Sequence, residues 1–127
     1  MDEINVLILD QNKLVQTGLK NLINQNFKAS ITCLDDAEEA IEVCKGRVFT
    51  IMIVDPMCPD SFDGEEFIRA QRQFYSINKD TPIIVFTEDI EFVTRITDEF
   101  SLHPETKIGP ITKILNPINM ALSKLSA

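Results

Sequence analysis

Residues 49–56 read FTIMIVDP: an apolar run from Phe49 to Val54 that stops abruptly on Asp55 and Pro56. A stretch so continuously hydrophobic predicts a strand covered on both faces by helices, as in a parallel sheet, rather than one with a wet face. Three other apolar runs end in the same manner. NVLIL (5–9) stops on Asp10, PIIVF (82–86) on Thr87 and IGPIT (108–112) on Lys113. The strand ends of a parallel open sheet open onto one edge, so two carboxylates, a hydroxyl and an ammonium are expected in a single crevice.

Helical patterns separate these runs. From Asn12 to about Gln25, apolar residues recur at Val15, Leu19, Leu22 and Ile23, with Asn12 placed to cap the helix. Ile31–Leu34 offers a short second strand. Asp35 or Asp36 caps the next helix, whose inner face would be Ala37, Ala40, Ile41 and Cys44 and which Gly46 would end. Gly64 to Ile77 carries Phe67, Ala70 and Phe74 at helical spacing, and Ile90, Val93, Ile96 and Phe100 mark a fourth helix. The region from His103 to Pro110 is interrupted by two prolines and Gly109, and Ile108–Thr112 is the expected fifth, edge strand. Asn116-Pro117 then reads as cap and first position of a last helix bearing Ile118, Ala121, Leu122 and Leu125. Strands alternating with helices imply right-handed crossovers and a parallel sheet with helices on both faces.

Composition narrows the function classes. The 127 residues suit one domain spanning 1–127, and 44% hydrophobic with 25% charged residues is ordinary for a soluble protein. No apolar run is long enough for a membrane span and no secretory leader is evident, so the cytoplasm is the expected compartment. A formal charge of −8 repels nucleic acid phosphates. Cys33, Cys44 and Cys58 form no CxxC pair and read as reduced packing residues, while His103, the sole histidine, reads as a loop residue. Neither a disulfide frame nor zinc chemistry is expected.

Singly, each polar strand end has a bland explanation: Asp10 turns the chain, Asp55 before Pro56 is ordinary turn chemistry, and Thr87 caps a helix. Together they ask for more. LILDQNKLVQTGL (7–19), IVDPMCPDSFDG (53–64), PIIVFT (82–87) and TKILNP (112–117) make the chain resemble the receiver domain of two-component response regulators over essentially its whole length. The resemblance implies a flavodoxin-like (βα)5 fold, a doubly wound parallel sheet of strand order 2-1-3-4-5. It implies Asp55 as phosphoacceptor, Thr87 and Lys113 as contacts to phosphoryl oxygens, and Mg2+ held by Asp10, Asp55 and the backbone carbonyl of Met57. The chemistry makes these types sensible, because an aspartate attacking phosphorus brings two anions together and needs cations beside it.

Departures from the family pattern carry expectations of their own. Gln11 stands where a second acid is usual and would be a weaker magnesium ligand. Glu88 follows Thr87 where a small residue is usual, and would crowd an incoming phosphoryl group. The loop to Asp63-Gly64 is one residue longer than usual, and Gly109-Pro110 replaces an aromatic ahead of Lys113.

By resemblance the partners are a histidine kinase or phosphotransfer protein and a downstream protein, with homodimer formation left open and neither nucleic acid nor membrane involved. Leu14 and Phe92, off the inner faces of their helices, are candidate contacts. The competing reading is a degenerate receiver that binds proteins without responding to phosphate. An enzyme is not expected: a flavin carrier needs a Gly, Ser and Thr-rich turn where this chain has DQNK, and a metal-dependent phosphatase lacks a second carboxylate two residues beyond Asp10 or Asp55.

Overall fold

Local signals set most element boundaries. The Asn12 side chain accepts hydrogen bonds from the N–H groups of Leu14 at 2.9 Å and Val15 at 3.2 Å, starting α1 (Lys13–Asn26) directly after β1 (Ile4–Leu9). Asp36 accepts from Glu38 at 2.9 Å and starts α2 (Ala37–Gly46), which follows β2 (Ala29–Leu34). Then come β3 (Ile51–Val54), α3 (Asp63–Gln71), β4 (Ile83–Thr87), α4 (Ile90–Phe100), β5 (Leu102–Thr106), a short 3-10 helix (Ile111–Ile114) and α5 (Leu115–Leu125). The computed structural model describes residues 3–56 and 63–125, apart from the side chains of residues 63, 90, 92, 93 and 95. Cys58 and Met57 therefore lie outside the described residues, as does the side chain of Phe92.

All strand pairs are parallel, in the order β2-β1-β3-β4-β5, the expected doubly wound topology. Alternate residues of the central strands face opposite sides. Leu7, Leu9, Met52, Val54, Ile83 and Val85 pack under α2, α3 and α4, meeting Ala40, Cys44, Phe67, Ile68 and Ile96. Val6, Ile8, Ile51, Ile53, Ile84 and Phe86 pack under α1 and α5, against Leu19, Ile23, Ile118 and Ala121. The two-sided burial foreseen from FTIMIV follows from these layers.

The fifth strand is Leu102–Thr106, not Ile108–Thr112. His103 thus lies half-buried in the sheet rather than in a loop. Pro104 made this stretch look broken, and its position explains why it is tolerated. The N–H of Lys107 donates to the Thr87 carbonyl at 2.9 Å, so by alternation residues 103 and 105 face β4 and the Pro104 nitrogen faces the free edge. No ladder bond is lost. Gly109, with φ of 98°, then turns the chain into the 3-10 helix.

Two helices also differ from expectation. α3 stops at Gln71, and Phe74, expected on its inner face, is 87% exposed. The Arg72 guanidinium donates to the carbonyls of Phe100, Lys79 and Thr81 at 2.8, 3.1 and 2.8 Å, fixing the following residues as turns instead of more helix. α5 begins at Leu115 as a continuation of the 3-10 helix, so Asn116 is not its cap. Pro117 sits in the first turn of α5, where its fixed φ suits the helix.

Candidate functional site

Leu9, Val54 and Val85 lie level in neighbouring strands, so Asp10 and Asp55 leave β1 and β3 at the same height. The backbone N–H of Asp10 donates to Leu34 and that of Asp55 to Leu9, holding both residues in register just past the strand ends. Asp10 is 4% exposed. Its Oδ1 accepts from the N–H of Asn12 at 2.9 Å, which turns Oδ2 toward the crevice. The Gln16 side chain steadies the same turn from α1, donating to the Asp10 carbonyl at 2.5 Å and the Leu34 carbonyl at 3.1 Å.

One ammonium joins the two carboxylates. Lys107 Nζ lies 2.8 Å from Asp10 Oδ2 and 2.6 Å from Asp55 Oδ2, in a site where all three side chains are largely withdrawn from solvent. The Phe86 ring lies beneath, its centroid 6.0 Å from the same nitrogen. Burial works against the charge on Lys107, but the hydrogen bonds it donates to Asp10 and Asp55 and their negative charge outweigh it and hold the lysine above its ordinary range. Burial pushes the Asp10 carboxyl up, and Lys107 and Asn12 offset that only in part.

Thr87 ends β4 one residue beyond the level of Asp55, fully buried, its Oγ1 accepting from the N–H of Asp89 at 3.2 Å. The bond closes a local turn ahead of α4 and does not cap the helix, which starts only at Ile90, and it leaves the hydroxyl hydrogen able to donate. Glu88 and Gln11 are exposed.

Lys113 sits elsewhere. It belongs to the 3-10 helix, where its ammonium bonds the Ile108 carbonyl and lies 3.7 Å from Glu105. With the strand shifted to Leu102–Thr106, the lysine that follows it is Lys107, a residue the sequence reading passed over because Pro104 hid the strand. The four residues before it, His103 to Thr106, include no Phe, Tyr or Trp.

Gly64, after the loop that leaves Asp55, has a steric reason to be glycine. A Cβ at this position would stand 2.3 Å from the Pro56 Cα, so only glycine lets the start of α3 pass so close behind Asp55.

Fold and site together define a class. The family model described as the response regulator receiver domain matches residues 6–99, and the chain belongs to that family. Solved structures agree on the fold. The receiver domain of sensor histidine kinase PA1611 from Pseudomonas aeruginosa PAO1, with a magnesium ion coordinated in its active site cleft, superposes with a TM-score of 0.79 at 16% identity, covering 96% of this chain and 99% of that one. A Francisella response regulator receiver domain gives 0.80 at 21%, covering 96% and 98%. A receiver domain from a Clostridium thermocellum histidine kinase gives 0.82 at 19%, covering 94% and 97%. No curated protein sequence matches the chain. Among the described residues, no helix is long and apolar enough to cross a membrane.

Proposed function

We propose that Asp55 accepts a phosphoryl group from a histidine kinase or phosphotransfer protein and that the added charge changes which protein the domain engages. The observation that carries this reading is the convergence of Asp10, Asp55 and Lys107 on one point. An Asp55 oxygen attacks phosphorus, the bond from phosphorus to the donor histidine nitrogen breaks with its electron pair going to that nitrogen, and an acyl phosphate results. Lys107, rather than Lys113, neutralises a phosphoryl oxygen in this proposal, since its ammonium already stands against the Asp55 carboxylate. Thr87 donates its hydroxyl hydrogen to another.

The donor set suits magnesium. Asp10 Oδ2 and Asp55 Oδ2 are hard oxygens that already share one cationic neighbour, and magnesium bound by one or two carboxylates completes its shell with water. When bound, it would offset the negative charge that gathers on the phosphoryl oxygens. Gln11 offers a neutral amide beside them, and weaker magnesium affinity than with a second acid follows from that. The Leu14 side chain, 84% exposed on the first turn of α1 beside the crevice, is the proposed contact with the phosphodonor protein.

Intact mass spectrometry after incubation with acetyl phosphate and magnesium tests the reading. A single phosphoryl adduct is expected, dependent on magnesium and lost in Asp55→Asn. A folded protein that takes up no phosphate at high donor and magnesium would instead be a phosphorylation-independent binding module.

A further inference from the structure

We propose that the end of the molecule opposite the phosphoacceptor crevice is a docking surface for a short acidic segment of a partner protein, anchored by apolar side chains. This surface lies at the N-terminal edge of the sheet. It is built by the residues leading into β3 and β4 and by the C-terminal end of α5.

Contiguous grooves cross it. One runs between α2 and the turn after α3, lined by Ile41, Lys45, Tyr75 and Ile77. A second begins on the other side of the same Ser76-Ile77 ridge and continues past Val48 and Pro82 to Leu125. The exposed side chains are large and apolar: Tyr75 is 72% exposed, Val48 62% and Leu125 53%, with Phe74 packed edge-on against Tyr75 at 5.4 Å between centroids. Apolar side chains gathered like this mark contact surfaces more often than isolated ones do. The ridge is also preorganised, because the Arg72 guanidinium holds the carbonyls of Lys79 and Thr81 and the Asn78 side chain holds those of Cys44 and Arg47.

Charge selects the partner. The chain carries a net −8, and its crevice end holds Asp10, Asp35, Asp36, Asp55, Glu88 and Asp89. The opposite end is rimmed by Lys45, Lys79 and Lys124, and Asp80 is the only carboxylate lining the grooves among the described residues. Lys45 spends part of its charge on Glu42 at 2.7 Å. A basic rim around apolar grooves complements Asp and Glu flanking one or two bulky side chains. Grooves divided by a ridge seat discrete side chains, whereas a bilayer surface would bridge them and leave them unfilled.

The test is selection of a phage-displayed library of random 16-residue peptides on the wild-type protein. Selected peptides should be rich in Asp and Glu around aromatic or branched apolar residues, and the best of them, made synthetically, should bind more weakly as salt rises. Its affinity should fall at least tenfold in Ile77→Asp combined with Lys79→Glu, and also in Phe74→Ser combined with Tyr75→Ser, a second variant of exposed positions. Leu14→Asp should leave it unchanged. Acetyl phosphate uptake should be unaltered in the groove variants, which separates this surface from the phosphoacceptor reading. Peptides without acidic enrichment, or binding indifferent to both groove variants, would overturn the proposal. So would wild-type protein that cosediments with phosphatidylglycerol vesicles through these same residues, which would make the surface a lipid contact, or a dimer in sedimentation that both variants dissolve, which would make the occupant a second copy.

Discussion

Removing the Lys107 side chain would leave two carboxylates facing each other in a nearly dry crevice, and each would lose its nearest cation. Breaking one side of a buried charge cluster typically costs about 3–5 kcal/mol. Lys107→Ala is therefore expected to lose about 3 kcal/mol of stability without magnesium, to regain much of it when magnesium is added, and to accept phosphate from acetyl phosphate far more slowly. Lys113→Ala removes a partly exposed, longer contact to Glu105 and should cost under about 1 kcal/mol with phosphate uptake retained. Denaturant unfolding of both variants with and without magnesium, alongside mass spectrometry of adduct formation, checks the contrast. The reverse pattern, uptake lost in Lys113→Ala alone, would return the role to Lys113. Asp10, Asp55 and Thr87 were legible as polar residues that end apolar strands, whereas Lys107 could be found only by accepting a proline inside a strand.

Elements were legible where periodicity and caps agreed. β1, β3, β4, α1 and α2 announce themselves through aliphatic runs and through Asn12 and Asp36, because those signals are local. What escaped depended on partners distant in sequence. The end of α3 is set by Arg72 reaching carbonyls past the helix, and β5 is allowed by the free edge on which Pro104 faces outward. Asn78 is the strongest case. Fully buried, it accepts from the Phe49 N–H at 2.9 Å and the Thr81 hydroxyl at 3.1 Å while donating to the Cys44 and Arg47 carbonyls at 3.1 and 2.9 Å. A lone asparagine in a polar stretch gives no hint of this. Asn78→Ala leaves those backbone groups unsatisfied and should cost about 3 kcal/mol in denaturant unfolding, loosening the junction of α2, β3 and β4 together. A loss below about 0.5 kcal/mol would mean that water replaces the side chain freely.

For the whole molecule, the core makes stability depend on alkaline pH. Burial pushes the Cys44 thiol up to about 12, a rise that the Arg47 charge only partly offsets, from an ordinary value of 9.0. Above pH 9 the unfolded chain releases this proton while the folded chain keeps it, so the contribution is complete below pH 9 and is lost as pH rises toward 12, at up to about 1.4 kcal/mol per pH unit. Measured between pH 8 and 10, the wild type should lose more stability than Cys44→Ala, although the variant starts lower because its side chain leaves a small void. Equal losses would place the thiol in contact with water. The outward-facing Pro104 bears on a different hazard. An edge strand with a full row of donors can template an intermolecular sheet, but here the free side of a five-residue strand lacks the donor at its centre. Fibril growth by strand addition is thus obstructed on the β5 side, so at high concentration any slow aggregation should recruit β2, the other rim of the sheet.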